Sequence, residues 1–248
     1  MPPLYQLGTF EYHRISHGEI ISQWPPRRVF CKQSIEIYQK EFVLITGPSG
    51  GGKTTLLQLL RGLLPEFGIG HLEGQLLYKQ NPLHGEYFTK NSKEILFLFQ
   101  NPFSQTIFSN ASEEFFFSME NFQYSHEEMT KTKNQLQSYF RLQNLWNKKT
   151  HQLSNGECQR LVLSSLLAIN PDVLLLDEPT AFLDPTARKD FYQWLHSHKG
   201  SQTIILVDHH LRETLPLADK VLHVSREGEI SEISKEKVRN VLLDLHQI

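Results

Sequence analysis

A glycine-rich run followed by a lysine and a threonine is the segment whose residue types most directly suggest chemistry. Residues 47–54 read Gly-Pro-Ser-Gly-Gly-Gly-Lys-Thr and fit the pattern G-x-x-x-x-G-K-S/T. Glycines let the backbone turn several N–H groups toward one anion, and a helix that begins there adds the positive end of its dipole. The lysine supplies charge for β and γ phosphates, and the threonine hydroxyl can ligate Mg²⁺. The pattern predicts ATP binding by Gly47, Pro48, Ser49, Gly50, Gly51, Gly52, Lys53, Thr54 and Thr55.

Two carboxylates later in the chain follow a short apolar run. Asp177 and Glu178 come directly after Val-Leu-Leu-Leu at residues 173–176. Beside a bound triphosphate, Asp177 is expected to support Mg²⁺ through its water shell, and Glu178 to polarise an attacking water as general base. An Asp-Glu pair after a strand is by itself more often a solvated turn. The assignment therefore depends on the phosphate loop upstream.

Runs of consecutive apolar residues predict the strands that position these groups. Residues 42–46, 95–99, 173–176 and 203–207 form such runs, which suit strands buried on both faces of a parallel sheet. Each run ends in a polar or glycine-rich turn, where ligands bind in open α/β sheets. Alternating segments at 5–12 and 34–38, joined by 74–78, predict antiparallel strands at the edge of this core.

Helical patterns occupy three further regions. A helix is predicted after the phosphate loop, over residues 55–60, and a helical lobe from about 101 to 153 is inserted between core strands. Ser234 opens a predicted amphipathic helix that runs to Leu245. The aromatic patch Phe115 to Phe117 is interpreted either as core of the lobe or as the wall of a groove that receives a helix from a partner.

Composition excludes several classes of protein. The 248 residues are 39% hydrophobic and 21% charged with a formal net charge of -2, so no strong field indicates a nucleic-acid partner. The N-terminus lacks the pattern of a secretory signal, and the apolar runs are far shorter than the ~20 residues that span a bilayer. Two cysteines, Cys31 and Cys158, are too few for a disulfide framework and suit a reducing, intracellular setting.

The segment Leu-Ser-Asn-Gly-Glu-Cys-Gln-Arg at residues 153–160 resembles the signature of ATP-binding cassette (ABC) ATPases, usually Leu-Ser-Gly-Gly-Gln followed by a basic residue. Ser154 and Gly156 match that signature, whereas Asn155 and Glu157 depart from it. In the family, N–H groups of the serine and the glycine meet the γ-phosphate held by a second subunit. The departures are compatible with an asymmetric heterodimer that has one weaker site, or with tolerated variation.

The remaining family motifs follow in order. Gln100 resembles the Q-loop glutamine that touches Mg²⁺ and senses the transmembrane partner, so the resemblance implies metal contacts from Thr54, Gln100 and Asp177. Residues 179–184 resemble the D-loop that crosses to the other subunit. His209 resembles the switch histidine that contacts the γ-phosphate, although His210 beside it makes this assignment depend on register.

The family places an aromatic side chain on the adenine ring. Tyr12 fits that role in this sequence, and Phe10 or Tyr5 are alternatives. Together with Glu178, His209 and Lys53 as catalytic residues, this completes the set of site residues that the resemblance implies.

The resemblance implies an α/β fold, a P-loop NTPase with a RecA-like core, an antiparallel β subdomain and an inserted α-helical subdomain. One domain would span the chain, with the core at about 1–100 and 161–228, the helical subdomain at about 101–160 and a C-terminal helix at about 234–246. A single cassette with no membrane span is typical of the separate ATPase subunit of a transporter.

Residues 100–105 are similar to the Gln-Asn-Pro-x-x-Gln stretch of energy-coupling-factor importers, and residues 62–65 and 207–211 also favour that group. The implied function is hydrolysis of ATP, with Mg²⁺, to drive uptake of a vitamin or metal cation. The implied partners are a second ATPase subunit, like or unlike, and transmembrane subunits, with no nucleic acid. The implied location is cytoplasmic, on the inner face of the cell membrane. An iron–sulfur cluster assembly ATPase is the alternative.

Overall fold

A six-stranded sheet forms the centre of the computed structural model, which describes residues 2–14, 27–64, 70–83 and 92–244. Its strands are β3 (Phe42–Thr46), β6 (Ile95–Leu98), β7 (Val173–Asp177), β8 (Thr203–Val207), β9 (Lys220–Val224) and β10 (Ile230–Glu232). They lie in the order β10-β9-β3-β8-β7-β6, with β10 antiparallel to β9 and the other neighbours parallel. Every residue of β3, β7 and β8 is buried, which confirms the strands predicted from apolar runs.

An antiparallel sheet lies beside this core. It contains β1 (Tyr5–Arg14), β2 (Arg27–Ile37), β4 (Gly70–Tyr78) and β5 (Asn81–Pro82), in the order β2-β1-β4-β5. Tyr5 pairs with Ile37 on one side and Tyr78 on the other. The alternating segments of the sequence are thus confirmed as antiparallel strands.

Seven α-helices lie in the described part of the chain. They are α1 (Lys53–Arg61), α2 (Ala111–Asn121), α3 (His126–Phe140), α4 (Asn155–Leu167), α5 (Pro185–His198), α6 (Leu211–Thr214) and α7 (Lys235–Asp244). Apolar residues of α1 pack with both sheets in one core cluster, while α2, α3, α4 and α5 contribute to a second cluster on the other face of the parallel sheet.

The aromatic patch lies on α2. Phe115 is fully buried and its ring meets Trp146 edge-on, with 5.2 Å between centroids. Phe116 and Phe117 keep part of their surface accessible. Phe115 therefore belongs to the core, and the groove interpretation of the other two stays a prediction.

The helix ends follow from local chemistry. Ser125 and Glu128 form a capping box at the start of α3, and the Lys237 N–H donates to Ser234 Oγ over 3.3 Å at the start of α7, which confirms the predicted cap.

None of the helices within the described ranges is long and apolar enough to cross a membrane. The carboxyl ends of β3, β6, β7 and β8 meet at one edge of the sheet, which is where the predicted site residues follow.

Candidate nucleotide-binding and hydrolysis site

The phosphate loop connects the end of β3 to the start of α1. Gly47 has φ +138°, and a Cβ at this position would lie 2.1 Å from the Val224 carbonyl oxygen at the end of β9. Gly52 is the N-cap of α1 at φ 104°, and it brings no capping side chain. The first turn of α1 also contains no acidic residue. The amino end of α1 therefore keeps its positive dipole and its free N–H groups available for an anion.

Lys53 lies within this loop. Its Nζ donates to the carbonyl oxygens of Gly47 and Pro48, each over 2.9 Å, and only 8% of the residue is exposed. Burial lowers the pKa of the Lys53 ammonium, while Glu178 and Asp177 act in the opposite direction. The structure thus holds a cation at the mouth of the loop, next to two carboxylates.

Thr54 and Asp177 come together from α1 and β7. The Thr54 hydroxyl donates to Asp177 Oδ2 over 2.7 Å, and Asp177 is only 1% exposed. Burial raises the pKa of Asp177, and the hydrogen bond from Thr54 opposes that rise. A carboxylate and a hydroxyl are hard oxygen donors that fit Mg²⁺, which commonly takes one or two protein ligands and completes its shell with phosphate oxygens and water. Accordingly, no group of three or more metal-binding side chains of His, Cys, Asp or Glu occurs in the described ranges.

Glu178 receives contacts from the ends of two other strands. Gln100, after β6, donates its Nε2 to Glu178 Oε2 over 2.9 Å, and His209, after β8, places Nε2 3.0 Å from Oε1. Glu178 itself has φ +49°, and its N–H donates to the Val207 carbonyl over 2.9 Å. A non-glycine residue in the left-handed region is uncommon and concentrates at functional sites. The carboxylate is aimed by backbone geometry and by both neighbouring side chains.

The assignment of the two histidines is decided by their direction. His210 turns away from Glu178: its N–H and Nδ1 contact Asp208 Oδ1 at 2.8 and 3.0 Å. Arg188 contacts His210 Nε2, so the other ring nitrogen is also engaged away from Glu178. His209 is therefore the histidine that contacts Glu178.

Asp208 is a site residue that the sequence did not indicate as such. It is 4% exposed and also accepts hydrogen bonds from the hydroxyls of Thr180, over 3.1 Å, and Tyr192, over 2.9 Å. Thr180 belongs to the predicted D-loop. Asp208 thus links that loop to the backbone beside His209.

Gln105 holds the segment around Gln100 in place. Its side chain accepts from the Phe99 N–H over 2.7 Å and donates to the Phe97 carbonyl over 2.8 Å. Gln105 is therefore hydrogen-bonded to the backbone at the end of β6. Asn101 caps the short 3-10 turn Pro102–Ser104 through the Phe103 N–H. The second glutamine of the Gln-Asn-Pro-x-x-Gln stretch therefore positions the first.

The signature residues begin α4. Ser154 is its N-cap, Asn155 is exposed, and Glu157 completes a capping box by accepting the Ser154 N–H over 2.9 Å. The other oxygen of Glu157 pairs with Lys148 Nζ at 2.7 Å, and this contact lowers the pKa of Glu157. The carboxylate that departs from the family signature is engaged within the chain.

Gly156 lies where the D-loop passes. A Cβ on it would lie 2.7 Å from the Phe182 carbonyl oxygen, and Gln159 Nε2 donates to the Pro179 carbonyl over 3.0 Å. Close backbone packing thus requires glycine at 156, independently of any bound phosphate.

Tyr12 does not fit its predicted role. Tyr12, Phe10 and Tyr5 all have 0% exposure, because they face the core between the antiparallel sheet and α1. A ring with no accessible face cannot stack on adenine, so this burial contradicts the prediction for Tyr12 and for its two alternatives. The side chains of Val29 and Phe30 do approach the phosphate loop: each would lie 3.1 Å from a Cβ on Gly52.

Comparison with known proteins agrees with this geometry. The ABC transporter family model matches residues 31–181. The chain is 34% identical over 222 residues to the energy-coupling factor transporter ATP-binding protein EcfA1 of Oceanobacillus iheyensis, covering 86% of this chain and 77% of the relative. It is 33% identical to an ABC transporter ATP-binding protein of Caldanaerobacter subterraneus over 82% of this chain, but it spans only 37% of that relative.

A solved structure shares the fold. The dimeric cassette MJ0796 in a post-hydrolysis state, bound to ADP and Pi, superposes with a TM-score of 0.77 at 25% identity, over 93% of this chain and 98% of that one. The family model covers more than half of the chain and the EcfA1 relative is matched over most of both chains, so the chain belongs to the ABC transporter family.

Proposed function

We propose that the chain is the ATP-hydrolysing subunit of a transporter, active as one of two cassettes that close head to tail around two ATP molecules. The observation that carries the proposal is the convergence of Gln100 and His209 on the two oxygens of Glu178, at 2.9 and 3.0 Å. A carboxylate fixed at both oxygens beside a phosphate loop suits a general base for attack by water. The dimeric arrangement of MJ0796 supports the pairing.

In this proposal, each described residue has a role on one side of the composite site. The phosphate loop and Lys53 bind the triphosphate, Glu178 accepts the proton of the attacking water, and His209 orients it. Thr54, Asp177 and the side-chain amide oxygen of Gln100 would hold Mg²⁺. When bound, this ion neutralises phosphate charge. Ser154 and Gly156 would contact the γ-phosphate held by the other cassette.

The transport partner is proposed to be an energy-coupling-factor system for uptake of a vitamin or metal cation, with the ATPase on the inner face of the cell membrane. The EcfA1 relative, of which the chain covers more than three quarters, supports this group. The hydrogen bonds between the Gln105 side chain and the backbone of Phe97 and Phe99 support it also, because they give the second glutamine of the Gln-Asn-Pro-x-x-Gln stretch a structural role. The iron–sulfur assembly alternative has no comparable support.

The test of hydrolysis is Glu178→Gln, which keeps the size of the side chain and removes its basicity. We expect ATP binding to persist while kcat falls about 100-fold or more. The ATP-bound dimer should accumulate, as measured by phosphate release and gel filtration. Glu120→Gln, an exposed residue of α2, is the matched control. Full turnover by Glu178→Gln would refute the base assignment.

The transporter assignment has a separate test. Purification of the chain from its own host membranes should recover a second cassette and the membrane coupling and substrate-binding proteins. Recovery with iron–sulfur assembly proteins instead would favour the alternative.

A further inference from the structure

The amino end of α4 carries an acidic side chain. The proposed function requires this helix end to receive an anion. Glu157 lies in the first turn of α4, three residues after Ser154. In the proposed dimer this helix end faces the triphosphate of the other cassette. A free carboxylate here would repel that ligand. The sequence alone leaves open whether this end of α4 forms a weakened half-site or whether the variation is tolerated.

The structure compensates for this charge locally. Glu157 Oε2 accepts the Ser154 N–H over 2.9 Å, and Oε1 accepts from Lys148 Nζ over 2.7 Å. Both oxygens are thus used inside the chain. The Glu157 N–H in turn donates to Ser154 Oγ over 3.3 Å, which leaves the hydroxyl proton of Ser154 free to donate elsewhere.

Lys148 is held in place by its backbone. Its N–H donates to the Leu145 carbonyl over 2.8 Å, and its carbonyl accepts from the Ala111 N–H over 3.1 Å. Two residues later, the buried Thr150 donates its hydroxyl to the Phe108 carbonyl over 2.6 Å. The ammonium therefore projects from a loop that is fixed to the start of α2.

Arg160, the basic residue of the signature, does not perform this task. Its Nε donates to the Gly156 carbonyl, and its Nη1 to the carbonyls of Phe140 and Arg141, each over 3.4 Å. Within the part of the chain that the structure describes, Lys148 is the cation paired with Glu157.

We propose that Lys148 is a positioning residue of the composite ATP site. It neutralises Glu157 and holds its carboxylate back against the cap, so that the exposed end of α4 can receive the triphosphate bound by the other cassette. The inference rests on the proposed function. It also explains how the variant signature can serve an active site, without requiring that this half-site be weak.

The test is a double-substitution cycle in the intact ATPase complex, with steady-state ATP hydrolysis measured across ATP concentrations. Lys148→Met keeps the length of the stem and removes the charge. We expect it to raise KM for ATP about tenfold while changing kcat less, the order expected for one uncompensated charge beside a triphosphate. The increase should shrink at high salt. Lys149→Met, an exposed neighbour, is the matched control.

The decisive measurement repeats Lys148→Met in the Glu157→Gln background. If the lysine acts by neutralising the carboxylate, its removal there should change KM less than about twofold, because no charge remains to compensate. A tenfold increase in both backgrounds would overturn the proposal and assign Lys148 a purely structural role. No increase in either background would also overturn it. A wild-type complex that binds ATP but neither dimerises nor hydrolyses it would overturn the proposed function itself.

Discussion

Two helix amino ends in this chain are proposed to meet phosphate, and they are built in opposite ways. α1 begins after Gly52 with no capping side chain and no acidic residue in its first turn. α4 begins with a complete capping box from Ser154 and Glu157, and its acidic residue needs the nearby Lys148. The first end leaves its N–H groups to the ligand. At the amino end of α4, the capping box already satisfies some of the backbone N–H donors.

The difference between the amino ends of α1 and α4 reflects what each must do when no second cassette is bound. The phosphate loop holds its anion within one chain, so glycine geometry and the buried Lys53 are sufficient. In the proposed dimer, the start of α4 is exposed until the second cassette binds, so it must stay helical without that partner. A capping box stabilises an exposed helix start by about 1 kcal/mol. The comparison predicts that changes at the start of α1 weaken ATP binding by the single chain, whereas changes at the start of α4 affect hydrolysis in the proposed dimer.

The largest effect is expected from Lys53→Ala. Loss of the ammonium removes the charge held in the phosphate loop, so ATP affinity should fall about 100-fold, or about 2.8 kcal/mol, the order of one strong hydrogen bond to a charged group. Titration with a fluorescent ATP analogue measures the change. Lys131→Ala, on the exposed surface of α3, should bind ATP normally. Retained affinity in Lys53→Ala would remove the distinction between the two helix ends.

Gly156→Ala should separate binding from hydrolysis. Its new Cβ would lie 2.7 Å from the Phe182 carbonyl oxygen, so the D-loop or α4 must shift. Such overpacking costs about 1–3 kcal/mol, and we expect the ATPase rate to fall about tenfold with ATP binding by the single cassette preserved. Gly8→Ala is the matched control, since a Cβ there meets nothing within 4 Å. Equal loss of binding and rate would show that the two ends are not independent.

The smallest effect concerns pH and the cap of α4. Lys148 lowers the pKa of Glu157, so the pair stabilises the folded state above the ordinary carboxyl pKa of about 4.3. This contribution is lost as pH falls through the lowered value. The pair is partly exposed, which limits the contribution to about 1 kcal/mol, or about 2–4 °C in Tm.

Thermal unfolding of Glu157→Gln tests this expectation. Its Tm should lie below that of wild type at pH 7, and the difference should shrink as the pH falls below the ordinary carboxyl pKa of about 4.3. Glu120→Gln, which is exposed on α2, controls for the loss of one carboxylate. A difference that does not change with pH would mean that the cap, and not the ion pair, stabilises this end.

Local pattern made much of the fold predictable. Consecutive apolar residues identified β3, β7 and β8, because strands covered on both faces leave no place for polar side chains. Glycine spacing located the phosphate loop, because few other residues adopt its backbone angles. These features depend on residues close together in the chain, and the sequence displays them directly.

The direction in which side chains point, and the residues that they contact, were not predictable in the same way. Tyr12 suited an adenine-binding aromatic by type, yet its side chain faces the core. His209 and His210 were equivalent by type until the backbone after β8 aimed one at Glu178 and the other at Asp208. A change of one position along the chain reverses which side a residue faces, and composition does not record it.

The sequence by itself determined the ATP-binding motif, the strand order along the chain and the family that these motifs resemble. Tertiary structure decided which groups meet: Gln100 and His209 converge on Glu178 from adjacent strands, and Lys148 reaches Glu157 from a loop fixed to α2. The physical reason is that a hydrogen bond or ion pair depends on distances of about 3 Å, which only packing of segments far apart in sequence can set.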